Sequence, residues 1–154
     1  SGFTPTDAGL IPTGEILPVE GTPLDFRTPH AIGERIGRTD YEPLAFGNGY
    51  DHNWVLDKPE AGTVSLAAEA YEPATGIRMK IYTDQPGLQF YAGQGMDGKE
   101  VGKRGDRHNF RSGIALETQN FPDAPNHDNF PSSVLHPGET YTQHTVYAFE
   151  TDKR

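Results

Sequence analysis

Between Gly76 and Thr83, Ile77, Met79 and Ile81 alternate with Arg78, Lys80 and Tyr82. An apolar residue at every second position is what a strand with one buried face requires. Residues 63–71 before it and 87–92 after it are set off by the turn signals Glu72-Pro73-Ala74-Thr75-Gly76 and Asp84-Gln85-Pro86-Gly87. The three stretches together predict a three-stranded antiparallel meander. Residues 66–70 have helical propensity, but Gly62-Thr63-Val64 on one side and Pro73 on the other favour a strand. Two further strands are predicted at 113–118 and 141–150, the second rich in Thr, Val, Tyr and Phe. Between them, residues 120–137 carry Pro122, Pro125, Pro131 and Pro137 and read as a long irregular loop, a kind of segment that is often functional.

The first third reads differently. Pro5, Pro12, Pro18, Pro23, Pro29 and Pro43 recur too closely for a helix of useful length, since an interior proline removes a backbone bond and clashes with the preceding turn. Short strands in extended loop are expected there, wrapping a core supplied by the later strands.

Composition narrows the class. The chain has 154 residues, 18 of them Gly and 13 Pro, a fifth of the whole, which suits a turn-rich β protein of one domain or part of one. Thirteen Lys and Arg against 22 Asp and Glu leave a net charge of −9, the wrong sign for nucleic acid or an anionic membrane. Without cysteine there is no disulfide, thiolate nucleophile or Cys-based zinc site. No apolar run reaches the roughly 18 residues of a membrane span, and no basic-then-apolar opening resembles a signal peptide. The first residue is Ser1, as expected of a processed product or of the second piece of a longer one. The compartment stays open, with the cytoplasm favoured over the periplasm or secretion.

Four features bear on chemistry. Gly93-Gln94-Gly95-Met96-Asp97-Gly98 spells a dinucleotide fingerprint. That motif works only where a strand feeds a helix, and residues 99–107 are charged and Gly-interrupted. The six histidines, at 30, 52, 108, 127, 136 and 144, form no close metal-binding pair, so no metal is expected. Asn48-Gly49-Tyr50-Asp51-His52-Asn53-Trp54 gathers an acid, an imidazole, an amide and the single Trp within seven residues, material for a pocket that binds a polyhydroxylated ligand. Asp51 could accept from sugar hydroxyls while the ring covers a sugar's C–H face; a capped turn with a buried Trp is the competing reading. In residues 114–119, parity sets Ile114 and Leu116 on one face and Ala115, Glu117 and Gln119 on the other, which suits a carboxylate lining a cleft. Glu117 could equally be an exposed edge charge or the ion-pair partner of Arg111 or Arg107.

Residues 48–53 (Asn-Gly-Tyr-Asp-His-Asn), 85–93 (Gln-Pro-Gly-Leu-Gln-Phe-Tyr-Ala-Gly) and 116–126 (Leu-Glu-Thr-Gln-Asn-Phe-Pro-Asp-Ala-Pro-Asn) together resemble the aldose 1-epimerase (galactose mutarotase) family. So do residues 11–15, 21–27 and 135–141, and the resemblance runs over nearly the whole chain. It implies an all-β fold, the C-terminal half of a large β-sandwich of the galactose mutarotase type, spanning residues 1–154. It implies interconversion of the α and β anomers of free aldohexoses such as galactose and glucose, without a cofactor. By position in the matching motifs it makes Glu117 the catalytic base, and Asp51 and Gln89 ligands of the sugar hydroxyls. The family's acid histidine, a second substrate-binding histidine and an arginine belong to its N-terminal half, and none of the six histidines here stands in a motif like theirs. The expected partners are therefore an aldohexose substrate and an N-terminal half carried on a second chain. The alternative of another class is a non-catalytic carbohydrate-binding β-sandwich module.

Overall fold

The computed structural model describes residues 1–152. Its strands, in chain order, are β1 (Gly2–Thr4), β2 (Leu17–Pro18), β3 (Asp51–Val55), β4 (Ser65–Glu72), β5 (Ile77–Thr83), β6 (Gly87–Tyr91), β7 (Ala115–Gln119) and β8 (Thr145–Thr151). Two short helices, α1 (Ile32–Arg35) and α2 (Glu42–Gly47), and a 3-10 turn at Ala124–Asn126 are the other regular elements described. The strands form two antiparallel sheets, one ordered β2-β1-β3-β6-β7 and the other β4-β5-β8. The all-β class read from the sequence holds.

The predicted meander does not survive in full. β4 and β5 pair as expected, but β6 leaves them and inserts between β3 and β7. The segment between β5 and β6 crosses between sheets instead of folding back. Gln85 donates its N–H to Thr83 Oγ1 at 3.1 Å, and the Pro86 carbonyl accepts from Leu56 at 2.9 Å. The edge of β5 that β6 would have taken belongs to β8. Asp84 anchors β8 there by accepting the His144 backbone N–H at 2.9 Å. Residues 141–144, expected as strand, are irregular because their side chains bond elsewhere: Tyr141 to Gln85, and Gln143 to the Thr118 carbonyl.

The core also differs from expectation. Phe3, Val19, Leu24, Ile36, Leu44 and Tyr50 are buried in one cluster with Phe90 and Ala92, so the proline-rich first third supplies most of the core. Prolines forbid long helices there, yet they leave the apolar residues between them able to reach the sheet. The irregular backbone is satisfied locally: Val19 N–H donates to the Ser1 carbonyl, and Tyr50 Oη and Trp54 Nε1 donate to the carbonyls of Pro23 and Leu24. α2 accommodates Pro43 at its start, where no intrahelical N–H is needed.

The alternation in β5 is obeyed. Arg78 pairs with Glu69, Lys80 pairs with Glu150 at 3.0 Å, and Ile81 is fully buried on the other face. That apolar face is only partly covered, since Ile77 is 49% and Phe149 68% exposed. The two sheets meet through a polar seam, in which Thr118 and Thr145 hydroxyls lie 2.6 Å apart and Tyr147 donates to the Leu116 carbonyl at 2.7 Å.

Candidate active site

Strand parity gives the five-stranded sheet two unlike faces. Phe3, Trp54, Phe90 and Leu116 look into the core. On the other face Thr4 stands opposite Asn53, Asn53 opposite Gln89, and Gln89 opposite Glu117. Four polar side chains thus cross β1, β3, β6 and β7 in one row, with Asp51 and Gln119 two residues away on the same face. These six line a cavity of about 220 Å³.

A chain of hydrogen bonds ties them together. Gln89 Nε2 donates to Asp51 Oδ1 at 2.8 Å, and Gln119 Nε2 donates to Gln89 Oε1 and Asn53 Oδ1, both at 3.2 Å. Asn53 Nδ2 continues to Thr4 Oγ1 at 3.4 Å, and Asn53 itself is buried. Glu117 is exposed, lies on the cleft wall, and makes no ion pair among the described residues. The two arginines suggested as its partners are engaged elsewhere, Arg107 with the Gly98 carbonyl and Arg111 with the Asn48 carbonyl.

The backbone before Asp51 is shaped to deliver that side chain. α2 ends on Asn48, in the left-handed region at φ 50°, which a short polar side chain tolerates. Gln94 donates to the carbonyls of Gly47 and Tyr50, and Arg111 to that of Asn48. Loop 47–50 is thereby held from the β6–β7 connection. Gly87 is needed for space: a Cβ there would land on Asn53 Oδ1.

His52 faces the core although its backbone borders the cleft. The Asp51 N–H donates to Nδ1 at 3.1 Å, which leaves the ring proton on Nε2, 3.2 Å from the Pro43 carbonyl. Burial pushes its pKa down to about 4, against smaller opposing effects of that carbonyl and the Asp51 charge. The ring is neutral at pH 7 and its one proton is committed to the start of α2. Of the other histidines, His30 pairs with Glu34, His127 with Asp123 and His144 with Asp84; none of the five lines the cleft.

The structure brings Asp51, Gln89 and Glu117, drawn from three separate segments, onto one cleft wall. It does not bring Trp54 with them. That ring packs edge-on or tilted against Phe26, Tyr50 and Phe90, and donates to the Leu24 carbonyl. The competing reading holds for the ring alone, which is half-buried against the core, because Trp54 is one residue out of phase with Asp51 and Asn53. The Gly93–Gly98 motif opens a hairpin closed by the Val101–Arg107 bridge, and residues 99–107 form no helix. Thr4, Asn53 and Gln119 were given no role by sequence reasoning. Parity with Asp51 and Glu117 was the signal available for Asn53 and Gln119, and nothing in the sequence pointed to Thr4.

The family model described as aldose 1-epimerase matches residues 1–148. The chain is 41% identical over 147 residues to galactose mutarotase of Rattus norvegicus, covering 96% of this chain and 41% of that one. It is 34% identical over 150 residues to aldose 1-epimerase of Escherichia coli strain K12, covering 96% and 42%. Among solved structures, an aldose epimerase homologue from C. elegans superposes with a TM-score of 0.83 at 29% identity, covering 97% of this chain and 43% of that one. A galactose 1-epimerase from Lactobacillus acidophilus gives 0.76 at 26% identity, covering 97% and 41%. The chain spans about two-fifths of the length of these relatives.

Proposed function

The chain belongs to the aldose 1-epimerase family, and on that premise we propose that it forms one wall of a mutarotase active site for free aldohexoses, with Glu117 as the base. The Glu117 carboxylate takes the proton of the C1 hydroxyl while an acid delivers one to the ring oxygen. The bond from C1 to the ring oxygen breaks to give the open-chain aldehyde, rotation about C1–C2 exposes its other face, and reclosure returns both protons. One group cannot take and give at once. A carboxylate, ordinarily near 4.3, is ionised at neutral pH and suits the first role; an imidazole, ordinarily near 6.5, suits the second. Asp51 and Gln89 hold the sugar's hydroxyls, the acid accepting and the amide both accepting and donating.

The observation that carries this reading is the convergence of Asp51, Gln89 and Glu117 on adjacent strands of one polar sheet face. The acid comes from elsewhere: His52 is the only histidine bordering the cleft, and its proton is bound to the Pro43 carbonyl. We assign that acid to an N-terminal half on a second chain. The small size of the site supports this, because about 220 Å³ falls short of the roughly 300 Å³ at which ligand pockets begin. A purely binding module is the weaker reading, since Trp54 faces the core and supplies no ring to cover a sugar.

Polarimetry on freshly dissolved α-galactose tests the proposal. The chain with its N-terminal complement is expected to speed mutarotation by at least about 10²-fold over either part alone, the usual worth of a positioned acid or base. Equal rates with and without the complement would overturn the shared-site reading.

A further inference from the structure

The Asp51 carboxylate can only accept, so the amide facing it must present nitrogen, and this fixes the orientation of every amide behind it. Gln89 turns Nε2 to Asp51 and therefore Oε1 to Gln119; Gln119 must answer with its own Nε2, whose second hydrogen reaches Asn53 Oδ1. Asn53 then turns Nδ2 to Thr4. Gln119 is the branch point, the one group bonded to both halves of the row.

Resting on the mutarotase reading above, we propose that Gln119 is a positioning residue for sugar binding. Its amide spans Gln89 and Asn53, occupies one lone pair of the Gln89 carbonyl, and leaves the second Gln89 N–H to donate to a sugar oxygen in the cleft. Reversing Gln119 would set oxygen against oxygen at both Gln89 and Asn53, so the row exists in one polarity only. Gln119 acts through Gln89 and takes no part in proton transfer. Its loss therefore weakens substrate and transition state alike, which raises KM and leaves kcat in place.

Two variants of the full chain test this. Gln119→Met keeps the length and removes both donors; Gln119→Glu puts acceptor oxygens against two acceptors. In a proton–nitrogen correlation spectrum without sugar, both are expected to move the side-chain amide signals of Gln89 and Asn53 while backbone signals of β4 and β5 stay in place. With the N-terminal complement, the polarimetric KM for galactose is expected to rise about 10-fold, with kcat within about 2-fold of wild type. Should Gln119→Glu misfold, Gln119→Met carries the test alone. Unmoved Gln89 signals, or an unchanged KM beside an active wild type, would overturn the positioning role. A wild type that neither binds nor turns over galactose would instead overturn the mutarotase reading, and with it the sugar-facing part of this proposal; the amide signals alone would still decide whether Gln119 holds Gln89.

Discussion

Acid should destabilise this chain through one buried ring. His52 has no exposed surface and is held neutral with a pKa near 4 by burial, whereas an unfolded histidine titrates near 6.5. Between those values the unfolded state binds a proton that the folded state refuses, so stability falls as pH falls. The contribution is fully present above about pH 6.5 and is lost through about pH 4, at about 1.4 kcal/mol per pH unit. The total is ~3 kcal/mol, a large share of the roughly 5 to 15 kcal/mol of an ordinary domain. Urea denaturation between about pH 7.5 and about pH 4 measures it, and Trp54, the only tryptophan, reports the transition because it packs in the same core. His52→Gln can still accept from Asp51 and donate to Pro43 but cannot titrate. It is expected to lower stability at neutral pH through lost ring packing while flattening the acid limb relative to wild type. Parallel pH profiles for the two proteins would refute the reasoning.

Three further outcomes follow from the geometry. Gly87→Ala drives a methyl group into Asn53 Oδ1 and should cost about 1 to 3 kcal/mol, as overpacking does, read as a lower urea midpoint with an unchanged slope. Asn48→Gly should be neutral within about 0.5 kcal/mol, while Asn48→Val should cost more than about 1 kcal/mol, because the left-handed cap suits Gly and penalises a β-branched side chain; thermal melts distinguish them. Native mass spectrometry of the protein isolated from its source should show a complex heavier than the 16.9 kDa chain; a single species at that mass would count against a second chain.

Much of this was legible where local physics decides. Alternation in residues 77–82 marked a strand, and parity put Glu117 and Gln119 on the face opposite Leu116 without any knowledge of neighbours. Parity also held the answer for Trp54, which shares the phase of His52 and not of Asp51; the attraction of an aromatic near an acid obscured it. What the sequence could not show was which strand pairs with which. β6 follows β5 after a turn signal, yet its place beside β3 depends on a match between Asn53, Gln89 and Glu117 across residues far apart in the chain. The proline-rich first third misled for a related reason. Prolines report what the backbone cannot do, and say nothing of where Leu24, Ile36 and Leu44 go once it has bent.

The central claim is that the Glu117 carboxylate removes the C1 hydroxyl proton. Mutarotation of α-galactose by Glu117→Gln, with the N-terminal complement present and galactose binding checked by calorimetry, tests it most directly. The account predicts binding retained and the rate lowered by at least about 10²-fold; a rate within a factor of about two of wild type would contradict it.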